Sequence, residues 1–260
     1  MRDAQTYREI QETAYRKWDK NDHQIPESLD ALGLFRLKQP LPMMLAIMHA
    51  YDAGDVKRKH VEDILGAIEN FHFIFTAITS QRSSGGISFM YALHARSLLA
   101  AKDLDAKLEV LTELKDKLKT KAPAYAEFEP YFLNLRFSRS FTKQKKLVQY
   151  ILAKIDRTMN ASGVALDYPQ MTIEHIAPQS GTNALSDDVV GNIGNLLLVE
   201  KGFNSKKLSN KTFAAKKSLL LKSKVFLDPV IENATNWTEV EVAQRGKWLA
   251  TTASQKVWKI

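Results

Sequence analysis

The chain has 260 residues and contains no cysteine. Disulfides, zinc sites built from thiolates and cysteine nucleophiles are therefore excluded together, and any bound metal has to use oxygen or imidazole ligands. The sequence also lacks a run approaching the roughly 18 apolar residues that a membrane-spanning helix needs, and its N-terminus has no apolar centre of the signal-peptide kind. These absences predict a cytoplasmic protein that does not insert into a membrane.

Acidic residues are too few to balance the basic ones. The chain has 37 Lys and Arg residues against 29 Asp and Glu residues, which gives a formal net charge of +8 at pH 7. Between Lys201 and Lys224 there are eight lysines and no acidic residue. A solvated helix face is one explanation, but such faces normally mix both signs. The segment therefore favours contact with phosphates, and DNA is the predicted partner.

Apolar residues recur at helical spacing through the first 160 residues, as in Val61, Ile64 and Leu65. Two long helices are predicted at about 57–79 and 103–120, and a further amphipathic helix is predicted at 143–158. Further on, the pattern changes to two short apolar runs joined by a polar loop, which predicts two strands at Met171–Ile176 and Ile193–Val199. We therefore predict a mainly α protein with a helical domain over residues 1–165. A small α+β domain would occupy residues 166–260 at the C-terminal end.

The candidate catalytic motif begins with Glu174-His175 at the end of the first predicted strand. Neighbouring residues of a strand point to opposite faces, so the carboxylate and the imidazole can serve different partners. Phosphodiester hydrolysis needs a base that activates water and a cation that neutralises charge on the phosphate. With an ordinary imidazole pKa of about 6.5, His175 is the predicted base. Glu174 and Asn204 offer hard oxygen ligands of the kind that Mg²⁺ prefers.

Taken in order, these motifs resemble the HNH nucleases, whose site is also called a ββα-metal or His-Me finger. The closer resemblance is to the C-terminal domain of GmrSD-type modification-dependent restriction enzymes and their phosphorothioate-sensing relatives. It rests on Glu-His-Ile-Ala-Pro-Gln at 174–179, Gly-Asn-Leu-Leu-Leu at 194–198, Asn-Ser at 204–205, Phe-Ala-Ala-Lys-Lys at 213–217, Trp-Thr at 237–238, Arg245 and Leu249. The nuclease domain of RNA-guided CRISPR enzymes is similar over a shorter stretch, with two asparagines spaced as Asn195 and Asn204 are here.

The resemblance implies a divalent-metal-dependent endonuclease that nicks DNA, as the effector part of an antiviral restriction system acting on modified DNA. It implies that His175 is the base and that Asn195 braces the loop behind it. Glu174 and Asn204 would hold Mg²⁺ or Mn²⁺, and Lys207 would meet the reacting phosphate. The predicted DNA contacts are the lysines of the basic segment, Lys201, Lys206, Lys207, Lys211, Lys216 and Lys217.

Two other interpretations stay open. The first is a DNA-binding or interaction module with an inactive centre, since binding needs the lysines but not Glu174, His175 and Asn204 together. The second is a helical interaction scaffold. The restriction enzymes usually carry an N-terminal nucleotide-dependent or ParB-like module with an Asp-Gly-Gln-Gln-Arg-type motif, which this sequence lacks. A sensor or NTPase module, or a separate subunit, is therefore an expected partner.

Overall fold

A computed structural model describes residues 2–81, 85–160, 168–180 and 185–260. Contacts between Cα atoms divide the chain into two compact units, Met1–Ala124 with Ile260, and Tyr125–Lys259. The domain boundary predicted at residues 165 and 166 lies outside the described residues. Within the described ranges, no helix has the length and apolar character needed to cross a membrane.

The first unit consists of helices packed around one apolar core. Side chains at three- and four-residue spacing form the buried stripe of each helix, as Val61, Ile64 and Leu65 do. The helices are α1 (Arg2–Gln11), α2 (Gln24–Leu34), α3 (Leu41–Asp52), α4 (Arg58–His72), α5 (Gly85–Ala100) and α6 (Leu104–Lys121). Helix α4 continues into a π-helical turn at Phe73–Ile78. The long helices predicted in this region are confirmed.

The second unit places a two-stranded antiparallel sheet among further helices. Strands β1 (Met171–His175) and β2 (Leu196–Glu200) pair so that Glu174 lies opposite Leu197 and His175 opposite Leu196. The helices are α7 (Tyr125–Leu133), α8 (Lys145–Met159), α9 (Asp187–Gly191), α10 (Lys201–Phe203), α11 (Phe213–Leu220), α12 (Pro229–Asn233) and α13 (Glu239–Thr252). Helix α10 continues into a π-helical turn, Asn204–Leu208. The predicted class, mainly α with a small α+β part at the C-terminal end, is confirmed.

Apolar cores cover both faces of this hairpin. On one face Leu196 and Leu198 pack with residues of α8. On the other face Leu197 and Val199 pack with residues of α11 and α12. A strand that is buried on both sides reads as a continuous apolar run instead of alternating, which explains the sequence pattern of β2. The polar end of β1 is consequently enclosed as well.

Gly194 marks a close approach between the turn before β2 and helix α13. A Cβ atom at this position would overlap the backbone carbonyl oxygen of Val242 and would lie 3.0 Å from the amide nitrogen of Gly246. The carbonyl of Gly194 accepts a hydrogen bond from the buried guanidinium of Arg245 at 2.9 Å. Glycine is needed here because backbone meets backbone.

The close approach predicts that Gly194→Ala lowers the free energy of unfolding by about 1–3 kcal/mol, since the added methyl group forces backbone to move. Urea unfolding of the full chain measures this change. Gly202→Ala is the matched control because nothing lies within 4 Å of a Cβ built there. The control should keep or slightly raise stability, as alanine has the higher helix propensity. Equal loss in both variants would show that the approach at Gly194 is not tight.

Candidate active site

His175 ends strand β1 and is buried, with 6% of its surface exposed. Its Nε2 atom lies 2.8 Å from the backbone carbonyl oxygen of Phe137. Burial lowers the pKa of His175 below its ordinary value, and the charges of Lys216 and Arg139 lower it further, while the contact with the Phe137 carbonyl opposes this. The neutral imidazole, which is the form that a general base needs, is therefore favoured at neutral pH.

Gln179 lies at the outer side of His175 and is exposed. Its Nε2 atom is 3.3 Å from the Nδ1 atom of His175. Its Oε1 atom accepts a hydrogen bond from the backbone N–H of Arg139 at 2.7 Å. Arg139 itself is exposed, and its positive charge acts on the imidazole. The segment that holds Phe137 and Arg139 is thus part of the site, although no sequence motif marks it.

Glu174 precedes His175 but points to the opposite face of the hairpin. Its Oε1 atom is 2.5 Å from the Nζ atom of Lys216, and both side chains are buried. The same ammonium group donates to the backbone carbonyl of His175 at 2.7 Å. Burial raises the pKa of Glu174, and the positive charge of Lys216 opposes that rise. The pair anchors helix α11 to the end of β1.

Two of the lysines predicted to bind DNA have partners inside the protein. Lys216 has no exposed surface, so it cannot reach a phosphate, and that prediction is wrong. The spacing of α11 explains the burial, because Lys216 lies one turn before Leu220 on the core-facing side. Lys217 donates to the backbone carbonyls of Glu232 and Ala234 at 2.6 and 2.8 Å. Lys217 is half-buried, and its ammonium group binds carbonyl groups at the end of α12.

Asn204 holds the lysine-bearing turn after β2 against strand β1. Its Nδ2 atom donates to the hydroxyl of Thr172 at 3.2 Å and to the backbone carbonyl of Ile173 at 3.3 Å. A backbone carbonyl only accepts hydrogen bonds, so the nitrogen of the amide must be the atom that faces β1. Asn204 is therefore an anchor between the basic segment and the strand that carries His175.

The arrangement of Glu174 and Asn204 decides whether they fit a divalent ion. Such an ion needs free oxygen ligands directed at one point. One carboxylate oxygen of Glu174 is bound to the ammonium of Lys216, and a second cation beside that group would be repelled. Among the described residues, no group of three or more His, Cys, Asp or Glu side chains is placed to hold a metal. Glu174 and Asn204 as arranged do not fit the Mg²⁺ or Mn²⁺ predicted from the sequence.

The expected convergence of Glu174, Asn204 and His175 on one point is also corrected. Asn204 contacts Thr172, which shares the face of Glu174, whereas His175 shares the face of Leu196 and faces Phe137. The physical reason is the alternation of side chains along a strand. The base and the carboxylate consequently have separate partners.

Asn195 lies fully buried behind the loop that follows β1. Its Oδ1 atom accepts hydrogen bonds from the backbone N–H of Ala177 at 2.8 Å and from the indole of Trp237 at 2.9 Å. Its Nδ2 atom donates to the backbone carbonyls of Ala177 at 3.0 Å and Val190 at 2.8 Å. The side-chain amide thus has its hydrogen-bond partners inside the protein and joins the loop after β1 to Val190 and Trp237.

The other lysines that the sequence predicts as DNA contacts lie on the surface. All are exposed, and they occupy α10, the π-helical turn after it and the following loop: Lys201, Lys206, Lys207 and Lys211. Their ammonium groups are accessible to a phosphate backbone.

A comparison with known protein families bears on the second unit. The family model described as GmrSD restriction endonucleases, C-terminal domain, matches residues 122–252. The matched range contains the hairpin, the basic segment and the residues around His175. No curated protein matches the chain.

The buried pair predicts that Lys216→Met lowers the free energy of unfolding by about 3–5 kcal/mol, because the Glu174 carboxylate stays buried without its partner. Lys206→Met removes an exposed lysine of the same segment and should change stability by less than about 0.5 kcal/mol. Urea unfolding of both variants measures the difference.

The double variant Glu174→Met/Lys216→Met should regain most of the loss, since a buried ion pair replaced by apolar groups is often tolerated. Wild-type stability in Lys216→Met alone would contradict the anchoring role. A rise in melting temperature on adding Mn²⁺ that Glu174→Gln abolishes would assign the carboxylate to a metal instead.

Proposed function

The chain belongs to the family of the C-terminal domain of GmrSD restriction endonucleases, and on this premise we propose that it hydrolyses DNA phosphodiester bonds with His175 as the general base. The observation that carries the proposal is the setting of this imidazole. Burial and nearby cations favour its neutral form. One ring nitrogen contacts the Phe137 carbonyl, and the other lies beside the exposed side chain of Gln179.

Phosphodiester hydrolysis requires proton transfer and charge neutralisation from the residues around the base. The neutral imidazole takes a proton from water while the water oxygen attacks phosphorus, and cations must balance the charge that develops on the phosphate oxygens. Arg139 is exposed and close enough for its charge to act on His175. The turn that carries Lys206 and Lys207 is held by Asn204 against the strand of His175. Arg139 is our candidate for contact with the reacting phosphate, and Lys206 and Lys207, whose turn Asn204 holds on the Glu174 face, are our candidates for phosphates along the same DNA.

We propose that the site is of the HNH type. The hairpin β1–β2 is followed directly by a helical turn, with His175 at the end of the first strand, Asn195 just before the second and Asn204 in the turn. This order of elements and residues supports the assignment. Glu174 departs from the expected metal-ligand role because Lys216 binds it. With one such site among the described residues, a single chain is expected to nick one strand.

The biological role that we propose is restriction of phage DNA or other modified DNA, which the family supports. The exposed lysines provide binding that does not depend on sequence, since contacts to phosphates position DNA without reading bases. Recognition of the modification then falls to other parts of the protein or to a partner.

The role of the base predicts that His175→Gln lowers nicking of supercoiled plasmid by ~10²–10⁴-fold, the usual contribution of a positioned base. Glutamine has similar size and can still donate to the Phe137 carbonyl, so DNA affinity and stability should change little. His23 is exposed, and His23→Gln is the matched control, which should keep full activity. Single-turnover nicking at saturating protein, alongside DNA binding, measures both.

A wild-type chain that binds DNA in a salt-dependent way but never nicks it, with Mg²⁺ or Mn²⁺ supplied, would contradict the proposal. That result would favour the DNA-binding module instead.

The exposed lysines generate a separate prediction for binding. Each lysine that neutralises a phosphate releases condensed counterion, so the log–log salt slope of binding falls by about 0.9 per contact removed. Lys206→Ala/Lys207→Ala should therefore reduce the slope by about 1.8. Lys206→Arg/Lys207→Arg keeps both charges and should keep the slope. An unchanged slope in the alanine variant would show that this face is only solvated.

A further inference from the structure

We propose that the segment between α7 and α8, together with the first turn of α8, is a DNA-binding surface that holds the cut strand beside His175. This α8 surface consists of four exposed side chains, Arg139, Lys143, Lys145 and Lys146. The inference rests on the proposed nuclease function and adds which face of the hairpin the cut strand contacts. It also adds three lysines that lie outside the basic segment Lys201–Lys224.

Charge in this part of the chain has one sign. Between Pro130 and Ile155 the sequence contains six basic residues and no acidic residue. Helix α8 has no acidic side chain in its first turn, where Lys145 and Lys146 lie. Basic side chains at the start of a helix oppose the helix dipole, so they do not stabilise α8. Their placement favours a role outside the fold, and DNA phosphates supply the opposite charge.

The cations of the α8 surface are also not used in ion pairs inside the protein. Arg136, which belongs to the same segment, is half-buried and lies 3.7 Å from the carboxylate of Asp188. Among the residues that the structure describes, no acidic side chain pairs with a member of the α8 surface in this way. A solvated helix face normally mixes both signs, whereas this surface is exposed, basic and unbalanced.

Contacts within the second unit place the α8 surface beside the base. The carbonyl oxygen of Phe137 lies 2.8 Å from Nε2 of His175, and the centroids of the two rings are 5.9 Å apart. The Nζ atom of Lys145 lies 5.8 Å from the centroid of the same Phe137 ring. The backbone N–H of Arg139 donates to the side chain of Gln179 at 2.7 Å. Successive phosphates of a strand advance only about 3.4 Å along the duplex, so these cations can meet phosphates next to the one that reacts.

The exposed lysines after β2 belong to the other face of the hairpin. Asn204 holds the turn of Lys206 and Lys207 against Thr172, which shares the face of Glu174. His175 lies on the opposite face. We therefore expect the α8 surface to hold the cut strand, and the turn after β2 to hold DNA farther from the reaction.

Binding of duplex DNA at several salt concentrations tests the α8 surface without cleavage. Lys143→Ala/Lys146→Ala removes two charges and keeps Lys145 in place. It should lower the log–log salt slope by about 1.8, because each phosphate contact contributes about 0.9. Lys247→Ala/Lys256→Ala is the matched control, since it removes two exposed lysines of the second unit outside both basic segments, and it should keep the slope. An unchanged slope in the first variant, or an equal fall in both, would overturn the inference.

A cysteine variant separates the charge of the side chain from its effect on the fold. The chain has no cysteine, so Lys146→Cys introduces a single thiol. Alkylation with bromoethylamine restores an ammonium group through a thioether, whereas iodoacetamide leaves the position neutral. The salt slope should fall by about 0.9 in the variant, recover with the first reagent and stay low with the second. Equal slopes after both reagents would show that the charge at this position does not contact DNA.

Single-turnover nicking of supercoiled plasmid at saturating protein tests the position beside the base. Lys143→Ala/Lys146→Ala should nick about 10-fold more slowly or worse, because the cut strand is held less closely to His175. Lys206→Ala/Lys207→Ala should nick at the wild-type rate once the DNA is saturated. The opposite order would assign the cut strand to the turn after β2 and overturn the inference.

The two readouts distinguish this inference from the proposed function. A wild type that nicks DNA, with an unchanged salt slope in Lys143→Ala/Lys146→Ala, would overturn the α8 surface and leave the nuclease standing. A wild type that never nicks DNA, with the expected fall in slope, would overturn the nuclease and the assignment of the cut strand, while the α8 surface would stand as a DNA-binding surface.

Discussion

Burial of polar groups at the end of β1 is the constraint on which the second unit depends. A carboxylate, an imidazole and a backbone carbonyl meet there among apolar cores, and an unpaired polar group in such surroundings costs several kcal/mol. Lys216 supplies a hydrogen-bond partner for two of these three groups, because its ammonium group binds both the Glu174 carboxylate and the His175 carbonyl. The imidazole is satisfied from the other side by Phe137 and Gln179. The chain segments that surround the hairpin are therefore joined to it by polar contacts as well as by apolar packing.

Side chains alternate along a strand, so adjacent residues face opposite sides and contact different groups. Glu174 faces the core shared with α11 and serves the fold, whereas His175 faces the segment after α7 and is available for chemistry. A carboxylate next to a candidate base in the sequence suggests that both residues are catalytic. Here the carboxylate is bound by Lys216 inside the protein, and the cations near the proposed base are Arg139 and Lys216. The proposed base and the buried ion pair thus lie on opposite faces of one strand.

Sequence reasoning reached the fold class because it depends on local patterns, and the same patterns singled out His175 as the candidate base. Helical spacing of apolar residues predicts α4 and α6, and apolar runs bounded by polar residues predict the two strands. The same reasoning placed Lys216 with the exposed lysines because charge composition alone does not distinguish a buried lysine. Its helical spacing to Leu220 was the available signal, since both residues lie on the buried side of α11.

The amino-acid sequence by itself determined the helices, the hairpin and the identity of His175 as the candidate base, because residue type and spacing are properties of neighbouring positions. Only the tertiary structure decided that Lys216 binds Glu174, that the Phe137 carbonyl binds Nε2 of His175, and that Gln179 joins Arg139 to the imidazole. The contacts of Lys216 with Glu174, of Phe137 with His175 and of Arg139 with Gln179 join segments far apart in the chain. In the last two, one partner is a backbone atom that every residue possesses. A backbone partner is not marked by any residue type, so only the packing of the folded chain determines which backbone atom is used.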